Sequence, residues 1–341
     1  MYWHCVRKAR LLASLLIKSF VVTVLGVASA PAEMNSDFER YSVNPHAPLA
    51  WQHTAEIDQY HWVLVGGFFN ETVRKEYFSE NAKVLSEIGA TKVSRIFPSS
   101  FHSASFNAKR LNNQLMELYH QGGRRPIVLI GHSKGGLESM ACVLEFPELI
   151  SKNIVAEVVL IQAPLGGNKL TDSQGILRRL LIRTVLSPTA YSSLQTDDIQ
   201  KIVTDKVNKL ASTLRQRLSQ HIHYVLSSKP ANQMGRALKA AARLSTTMTV
   251  PYDGLVTRQD MWLSGFGEIL GDMKNVDHLE FVLAPGSLVA DNSSRNNVRG
   301  FTKSLVANLF KSKRPGNTEF KTLTQKIETT AVSAAVCRAV L

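Results

Sequence analysis

The sequence has few cysteines, no internal repeat and no low-complexity segment. Three cysteines in 341 residues cannot build a disulfide framework. Cys5 lies in the leading segment, residues 1–32. Cys142 falls in a predicted helix, where we interpret it as a small core residue rather than as the disulfide partner of Cys337. Zinc-binding spacings of cysteine and histidine are also missing, so we expect neither a metal nor another cofactor.

Acidic residues are scarce relative to basic ones. Lysine and arginine number 40 against 27 aspartates and glutamates, which gives a net charge of +13. Four of the positive charges lie in the leading segment, so the remaining chain keeps about +9. This surplus favours anionic membranes or polyanions. The sequence lacks an RNA-binding aromatic motif and a concentrated basic helix, so we expect no nucleic-acid partner and interpret the charge as solvated surface with a basic tail over 311–341.

An uninterrupted apolar run that could cross a membrane is absent near the start of the chain. Basic residues precede the apolar stretch 19–27, Lys18 interrupts it, and small residues follow at 28–32. This pattern is typical of a signal peptide. We expect cleavage after Ala32, a polar lead-in over 33–60, and export to the periplasm or beyond. An uncleaved N-terminal membrane anchor is the alternative.

From residue 61 onwards, short apolar runs alternate with amphipathic stretches. This alternation predicts an α/β fold over 61–310, with a mostly parallel sheet and helices on both faces. A stretch of about fifty residues, 168–220, departs from the pattern and is predicted as a helical insertion. Strands are predicted at 61–65, 91–97, 127–130, 155–161, 222–227 and 268–270, and helices at 71–88, 104–119, 137–144 and 297–310.

The segment 131–135 reads Gly-His-Ser-Lys-Gly between a predicted strand and a predicted helix. A G-x-S-x-G sequence at such a turn is typical of a nucleophile elbow, in which a serine takes a strained backbone and presents its hydroxyl. Gly131 and Gly135 leave out side chains that would collide where strand and helix meet. Ser133 is therefore the predicted nucleophile. The alternative is a serine that is only a turn residue.

A serine hydroxyl is a poor nucleophile without an adjacent base. Where this motif carries a nucleophile, the acid and then the histidine follow it along the chain. Only His221, His223 and His278 follow Ser133. The first two straddle the start of a predicted strand, whereas His278 lies in a loop between the last predicted strand and the closing helix. We therefore predict His278 as the general base.

Several aspartates lie between the serine and the end of the predicted sheet. Asp253 stands between Pro251 and Gly254, in a loop that follows a strand and a helix, and there it could hold the imidazole tautomer. We predict Asp253 as the acid. A turn-forming role for Asp253, or Asp260 as the acid, is the alternative. Asp277 is disfavoured because it is adjacent to the base.

An anionic tetrahedral intermediate needs hydrogen-bond donors aimed at its oxygen. We predict the backbone N–H groups of Lys134 and Phe68, which follow the serine and the first strand respectively. The Lys134 side chain is expected to pair with Glu138 one helical turn on. We interpret His132 as a packing residue.

On these residues the chain resembles the α/β-hydrolases of bacterial lipase and esterase type, over about 61–310. The likeness departs at Gly66 and Leu165, where such lipases have histidine. It implies a lid between the sixth and seventh strands, where the insertion 168–220 falls, and it leaves open whether that insertion is a mobile lid or a fixed cap. The segments that carry the resemblance are 65–68, 131–136, 163–167, 253–256 and 277–279.

The resemblance implies an exported serine hydrolase, a lipase or carboxylesterase that cleaves a small-molecule or lipid ester through an acyl-enzyme. A thioesterase or acyltransferase using the same residues is one alternative. A non-catalytic protein that binds a lipid or a partner on this scaffold is another. The positive charge adds one expected partner, an anionic membrane surface contacted by the lid or by the basic tail.

Overall fold

The computed structural model describes residues 40–41, 43–49, 55–68, 70–167, 194–235, 238–239, 250–284, 295–312, 324–325 and 327–329. The chain divides into two units, Met1–Met34 and Asn35–Leu341, and all of the described residues belong to the second. The predicted signal peptide therefore lies outside them. Among the described residues, no helix combines the length and the hydropathy that a membrane crossing needs.

Six parallel strands form one sheet in the order β2-β1-β3-β4-β5-β6. All but the edge strand β2 are largely buried, as expected for apolar runs covered on both faces. The register brings the carboxyl ends of the central strands level, because Val65 lies opposite Gly131 and His132 lies opposite Ile161. The strands are β1 His61–Val65, β2 Val93–Ile96, β3 Ile127–His132, β4 Val155–Ile161, β5 Ile222–Ser228 and β6 Glu268–Lys274.

Helices cover both faces of the sheet. Alternate side chains of β1 show the two faces: Val63 belongs to a cluster with residues of α3 and α4, whereas Trp62 packs edge-on against Phe310 of α9, with ring centroids 6.2 Å apart. The α-helices are α1 Asn70–Val73, α2 Ser79–Glu87, α3 Ala104–Gln121, α4 Lys134–Glu145, α5 Glu148–Ser151, α6 Thr196–Ile199, α7 Asp205–Lys209, α8 Ser212–Ser219 and α9 Arg295–Ser312. A π-helical turn, Gln200–Thr204, joins α6 to α7, and 3₁₀ turns lie at Ala231–Gln233 and Arg258–Met261.

The helix predicted over 71–88 is broken into α1 and α2. Phe78 has a φ of 56°, which an α-helix does not accommodate. Arg95 stabilises the break, since its guanidinium donates to the carbonyls of Lys75 and Tyr77 at 3.1 and 2.9 Å. The break turns the Tyr77 side chain into the core, where it is 1% exposed.

The described part of the helical insertion, from residue 194 onwards, packs in the core. Ile199, Val203 and Val207 belong to the same buried cluster as α3 and α4. Lys206 also pairs with Glu145 at the end of α4, at 3.1 Å. This half is therefore built into the face of the sheet that carries α4. The other half of the insertion, which contains Leu177, lies outside the described residues. The role of the insertion as a lid stays a prediction.

Part of the predicted basic tail lies against the sheet. Ile327 is 5% exposed and belongs to the main core. Thr324 accepts a hydrogen bond from the backbone N–H of Ile269 on the edge strand β6, at 3.0 Å. Glu328 accepts one from the N–H of Gly265 at 2.9 Å. The described residues of 324–329 therefore cover part of an edge that would otherwise offer unpaired backbone groups.

Cys142 is the one cysteine within the described residues, and it is a buried free thiol in α4. Burial in an apolar environment raises the pKa of this thiol, and the nearby carboxylates of Glu145 and Glu148 act in the same direction. The prediction that Cys142 is a small core residue is confirmed. The side chain packs on the inner face of the helix that follows Ser133.

Candidate active site

Ser133 lies at a sharp turn between β3 and α4. Its φ of 54° and ψ of −127° are sparsely populated for any residue other than glycine, and such strain costs of order 1–3 kcal/mol. The turn requires glycine at position 135, because neighbouring backbones come very close there. A Cβ atom on Gly135 would lie 2.5 Å from the carbonyl oxygens of both Val65 and Gly66. The structure places Ser133 at a strand-to-helix turn, which raises its half-buried side chain above the carboxyl edge of the sheet.

His278 lies beside the serine. Its Nε2 is 2.8 Å from the Ser133 hydroxyl oxygen, a hydrogen-bond distance. The loop after β6 carries this side chain back over the sheet edge, and the imidazole is 1% exposed. The structure therefore brings together the predicted nucleophile and the predicted base.

Asp253 completes a chain of three hydrogen-bonded side chains. Its Oδ2 is 2.7 Å from Nδ1 of His278, while its Oδ1 accepts the backbone N–H groups of Leu255 and Val256 at 2.9 and 2.8 Å. The carboxylate is fully buried. Asp253 thus both closes a turn and faces the imidazole, and its role as the acid stays a prediction. With Asp253 on Nδ1, the imidazole Nε2 is directed to the serine.

The other candidate residues lie elsewhere. Asp260 accepts a hydrogen bond from the Thr257 hydroxyl, and its backbone carbonyl accepts the N–H groups of Leu165 and Gly166, whereas the carboxylate on His278 Nδ1 is that of Asp253. His221 and His223 both approach Glu157 at the amino end of β4, at 3.6 and 2.7 Å. That end of the sheet is opposite the edge that carries Ser133.

The two predicted oxyanion donors lie on either side of the serine. The Lys134 N–H is in the first turn of α4, where N–H groups have no partner within the helix. The loop after β1 reaches the elbow, since a Cβ on Gly67 would come within 2.9 Å of Ser133 Cβ. Phe68 follows directly, and its ring centroid is 5.2 Å from Lys134 Nζ. The assignment of both N–H groups as oxyanion donors stays a prediction.

The Lys134 side chain turns away from the reacting edge. It forms the expected pair with Glu138, and both side chains are almost completely buried, at 2% and 1% exposure. Lys134 Nζ also donates to the carbonyl of Ser99 at 3.3 Å, and Asn107 donates to Glu138 at 2.6 Å. This pair ties α4 to α3 and to the loop after β2. It leaves the Lys134 backbone N–H, not the ammonium group, at the serine.

His132 is a buried hydrogen-bonding centre, so its interpretation as a packing residue was incomplete. Its Nε2 faces the side-chain oxygen of Gln162 at 3.0 Å and the backbone carbonyl of His278 at 2.8 Å. Because both partners are acceptors, Nε2 must carry the proton. The Nδ1 atom then accepts the proton of the Tyr77 hydroxyl, 2.5 Å away, and the Tyr77 oxygen accepts the N–H of Gly67.

Burial fixes the charge state of this network. The pKa of His132 is held well below its usual value, first by loss of solvent and then by the nearby His278. The pKa of Tyr77 is raised, also mainly by burial. Both groups are therefore neutral across the physiological range. A neutral chain of hydrogen bonds connects the loop that bears Phe68 with the carbonyl of the candidate base.

The base loop is anchored from its other side by buried charges. Lys229 lies 2.7 Å from a Glu280 oxygen and 3.6 Å from an Asp277 oxygen, with all three side chains at most 10% exposed. Gln162 donates to the backbone carbonyl of Asp277 at 3.1 Å. Asp277 and Glu280, which lie on either side of His278 along the loop, are thus held in place. No periodicity or motif in the sequence identifies Lys229, Glu280 or Gln162.

Within the part of the chain that the structure describes, no group of three or more His, Cys, Asp or Glu side chains could hold a metal ion. The buried Glu157 with His221 and His223 is an ion-pair cluster at the amino end of the sheet.

Comparison with known proteins gives one family match and several similar structures. Residues 84–174, which include the elbow, match a family described as "Protein of unknown function (DUF726)". The structure of the metagenomic carboxyl esterase MGS0156 is similar with a TM-score of 0.59 and 17% identity, over 77% of each chain. The mature lipase BlEst2 of Bacillus licheniformis gives a TM-score of 0.51 and 20% identity, over 65% of this chain and 85% of the lipase. Phospholipase PlaB from Legionella pneumophila, in complex with thio-NAD, gives 0.52 and 11%, over 79% of this chain and 62% of the phospholipase.

Identities of this size establish similarity of fold. The parallel sheet order, the strand-turn-helix at Ser133 and these structural likenesses together show that the chain has the α/β-hydrolase fold. The prediction of the fold class is confirmed.

Proposed function

We propose that this protein is an exported serine hydrolase that cleaves carboxylic esters. The observation that carries the proposal is the hydrogen-bonded series Ser133, His278 and Asp253 at the carboxyl edge of the sheet, with separations of 2.8 and 2.7 Å. An attacking hydroxyl, a base on that hydroxyl and a carboxylate on the far nitrogen of the base are the parts that acyl transfer requires. The esterase and lipase described above, which share the fold, support the same reaction class.

The reaction begins with attack of Ser133 Oγ on the ester carbonyl carbon. His278 Nε2 takes the hydroxyl proton as the new C–O bond forms, and Asp253 stabilises the resulting imidazolium through Nδ1. The carbonyl oxygen becomes an anion and is held by the N–H groups of Lys134 and Phe68. These donors need no rearrangement, because the Lys134–Glu138 pair and the Tyr77–His132 network already hold the two segments that bear them.

The intermediate then collapses and breaks the bond to the alcohol. His278 returns its proton to the alcohol oxygen, which leaves an acyl group on Ser133. Water enters, gives a proton to His278 and attacks the acyl carbon. Collapse of this second intermediate releases the acid and returns the proton to Ser133. An alcohol or amine in place of water would give acyl transfer, and a thioester would react by the same steps.

A fluorophosphonate probe tests the nucleophile directly, because it reacts only with an activated serine. The wild-type protein is expected to be labelled once per chain, and Ser133→Ala and His278→Ala are expected to remain unlabelled. Ester turnover is expected to fall by on the order of 10⁴-fold in Asp253→Asn, because the amide no longer selects the productive tautomer.

Asp260→Asn is the matched control, since Asp260 is a buried aspartate close in sequence whose carboxylate accepts the Thr257 hydroxyl. It should turn over esters close to the wild-type rate. Retained activity in Asp253→Asn with loss in Asp260→Asn would refute the acid assignment. Absence of labelling in the wild-type protein would favour the non-catalytic binding role, and a higher product yield with added alcohol would favour acyl transfer.

Export is the second part of the proposal and is supported by the N-terminal sequence pattern alone. The mature protein is expected to begin at Glu33 or within a few residues of it. N-terminal sequencing of the protein recovered outside the cytoplasm tests this. Recovery of soluble cytoplasmic protein with an intact Met1 would refute it.

A further inference from the structure

The part of the chain that the structure describes contains a cavity of about 420 Å³ at the loop after β2. Its walls come from the loop after β2, from α1 and from the first half of α3. Two arginines, Arg74 and Arg110, stand among neutral polar and aromatic side chains. The remaining lining residues are Asn70, Phe97, Pro98, Ser99, Phe101, Asn107 and Gln114.

Neither arginine has a carboxylate partner among the described side chains. Arg74 lies over the ring of Phe97, 5.1 Å from its centroid, and Arg110 lies 6.0 Å from the centroid of Phe106. Both side chains are exposed, so their guanidinium N–H groups can reach a ligand. Planar forks of this kind bind phosphate oxygens in pairs, and phosphate is therefore the group that the two arginines would recognise.

Two of the three cavity walls are also short of negative charge, whereas the α1 segment carries Glu71 and Glu76 as well as Arg74 and Lys75. The loop 97–103 has no acidic residue, and α3 has none before Glu117. Lys75 and Lys109 add exposed positive charge nearby, although Lys109 also approaches Glu145 at 3.5 Å. The carboxylate bound by Asn107 of the cavity wall, Glu138, is buried and paired with Lys134. The local field thus favours an anion.

Exposed aromatic rings form the rim. Among the described residues, the large apolar side chains that are exposed are Val43, Phe101 and Phe106, so two of the three lie here, at 50% and 44% exposure. His102 stacks on Phe106 with ring centroids 4.5 Å apart. Aromatic rings next to arginines are typical of surfaces that enter the headgroup layer of a membrane. A soluble phosphate compound would give no reason for this exposed apolar rim.

The cavity shares its walls with the catalytic machinery. The carbonyl of Ser99 accepts a hydrogen bond from Lys134, and Phe97 lies 3.2 Å from where a Cβ on Gly66 would be. The loop that forms the cavity follows β2, which is two strands from β3. Two inter-strand spacings amount to about 10 Å along the sheet edge. A headgroup in the cavity would therefore lie beside an ester bond placed at Ser133.

We propose that this cavity binds the headgroup phosphate of an anionic glycerophospholipid at a lipid surface, and that such lipids are the substrate class of the enzyme. The substrate assignment rests on the proposed ester hydrolysis, whereas headgroup binding does not. Phe101 and Phe106 enter the headgroup layer, Arg74 and Arg110 hold one phosphate, and the carboxyl edge with Ser133 faces the lipid.

Binding is tested first without catalysis. Ser133→Ala protein is sedimented with phosphatidylcholine vesicles and with the same vesicles containing phosphatidylglycerol. We expect tighter binding to the anionic vesicles. The affinity for these vesicles should fall at least about tenfold when R74Q and R110Q are added to Ser133→Ala. The matched control adds K92Q and K152Q to Ser133→Ala, which makes the same change of charge at two exposed lysines elsewhere on the chain. This control should bind the vesicles as tightly as Ser133→Ala alone.

Two results would overturn the headgroup site. Equal weakening by the arginine pair and by the lysine pair would mean that diffuse charge, not the cavity, attracts the vesicles. Binding of soluble glycerol 3-phosphate without any preference for the anionic vesicles would assign the cavity to a free phosphate compound instead of a lipid.

Hydrolysis then tests the substrate class. The rates on phosphatidylglycerol and on diacylglycerol with the same acyl chains are measured in one kind of detergent micelle. Their ratio should fall at least about tenfold in R74Q/R110Q and stay at the wild-type value in K92Q/K152Q. An unchanged ratio in R74Q/R110Q would overturn the substrate assignment. Failure of the wild-type protein to cleave either ester would instead remove the proposed function, while the vesicle experiment would still decide on the headgroup site.

Discussion

Tyr77 donates to His132 and accepts from Gly67, so one hydroxyl joins the elbow to the loop that bears the second candidate oxyanion donor. Tyr77→Phe removes that hydroxyl and leaves the N–H of Gly67 and Nδ1 of His132 unpaired in the core. We expect kcat on a short soluble ester to fall about 10- to 100-fold with KM little changed, because the donor at Phe68 acts on the transition state.

Tyr224→Phe is the matched control for Tyr77→Phe. The Tyr224 hydroxyl is equally buried and donates to the carbonyl of Phe266, at the amino end of the sheet. A purely structural effect of losing a buried hydroxyl would lower stability in both variants. An equal fall of kcat in the two variants would therefore contradict a positioning role for Tyr77.

His132 makes stability depend on pH. Its pKa in the folded protein is held well below 6.5, whereas in the unfolded chain it returns to about 6.5. Below that pH the unfolded state binds a proton that the folded state does not. The free energy of unfolding should thus fall as pH falls from 6.5, by up to about 1.4 kcal/mol per pH unit from this residue.

Urea unfolding of the wild type and of His132→Gln between pH 7.5 and 5 measures this contribution. Glutamine keeps a hydrogen-bond donor and acceptor but does not titrate in this range. The variant is expected to start less stable and to lose less stability on acidification. Parallel curves for the two proteins would assign the acid sensitivity to other groups.

The three candidate residues that the structure brings together could be selected from the sequence because each has a local signal. Ser133 lies in a motif, His278 is the remaining histidine in a loop of the right chain order, and Asp253 precedes a glycine in such a loop. Tyr77 could not be predicted, because it falls in a stretch with ordinary helical spacing. Its position depends on Arg95, a residue of the next strand, which breaks the helix by binding its carbonyls.

At the scale of elements, the base loop depends on one buried cation. Lys229→Met would leave the carboxylates of Asp277 and Glu280 buried without a counter-charge, which typically costs about 3–5 kcal/mol. We expect a corresponding fall in the free energy of unfolding, measured in urea. Ester turnover should fall as well, since His278 lies between these two residues.

Adding Glu280→Gln to Lys229→Met tests whether uncompensated charge is the cause. The double variant has one buried negative charge fewer, so part of the lost stability should return. A double variant that is less stable than Lys229→Met alone would show that Lys229 stabilises the loop by packing rather than by charge.

The helical insertion illustrates a limit of periodicity. The spacing of Val203, Val207, Leu210, Leu214 and Leu218 predicts an apolar helix face. Val203, Val207 and Leu218 are buried in the core, and Leu210 and Leu214 are half-buried against it. An amphipathic stripe has the same spacing whether it covers a sheet face or closes over a site. The sequence therefore predicted the helices and their apolar side, but the surface against which that side packs depends on the tertiary arrangement.

At the scale of the whole molecule, the described residues of 324–329 follow α9 in the chain, and Ile327 among them belongs to the main core. Ile327→Asp places a charge where the native side chain is 5% exposed, and we expect the free energy of unfolding to fall by about 2–5 kcal/mol. Gln325→Asp, at an exposed position two residues away, is the control and should be close to neutral. Equal melting temperatures for the two variants would show that the segment does not stabilise the folded chain.

Cys142 offers a way to time the opening of this molecule. Its thiol lies on the inner face of α4 with a raised pKa, so an alkylating reagent reacts only when that helix separates from the sheet. In a protein whose Cys5 and Cys337 are replaced by serine, the rate of alkylation would measure how often this opening occurs. The same helix begins directly after Ser133, so a phosphonate bound to Ser133 should lower the rate of alkylation. The alkylation rate of Cys142 would then report whether a ligand is bound at Ser133.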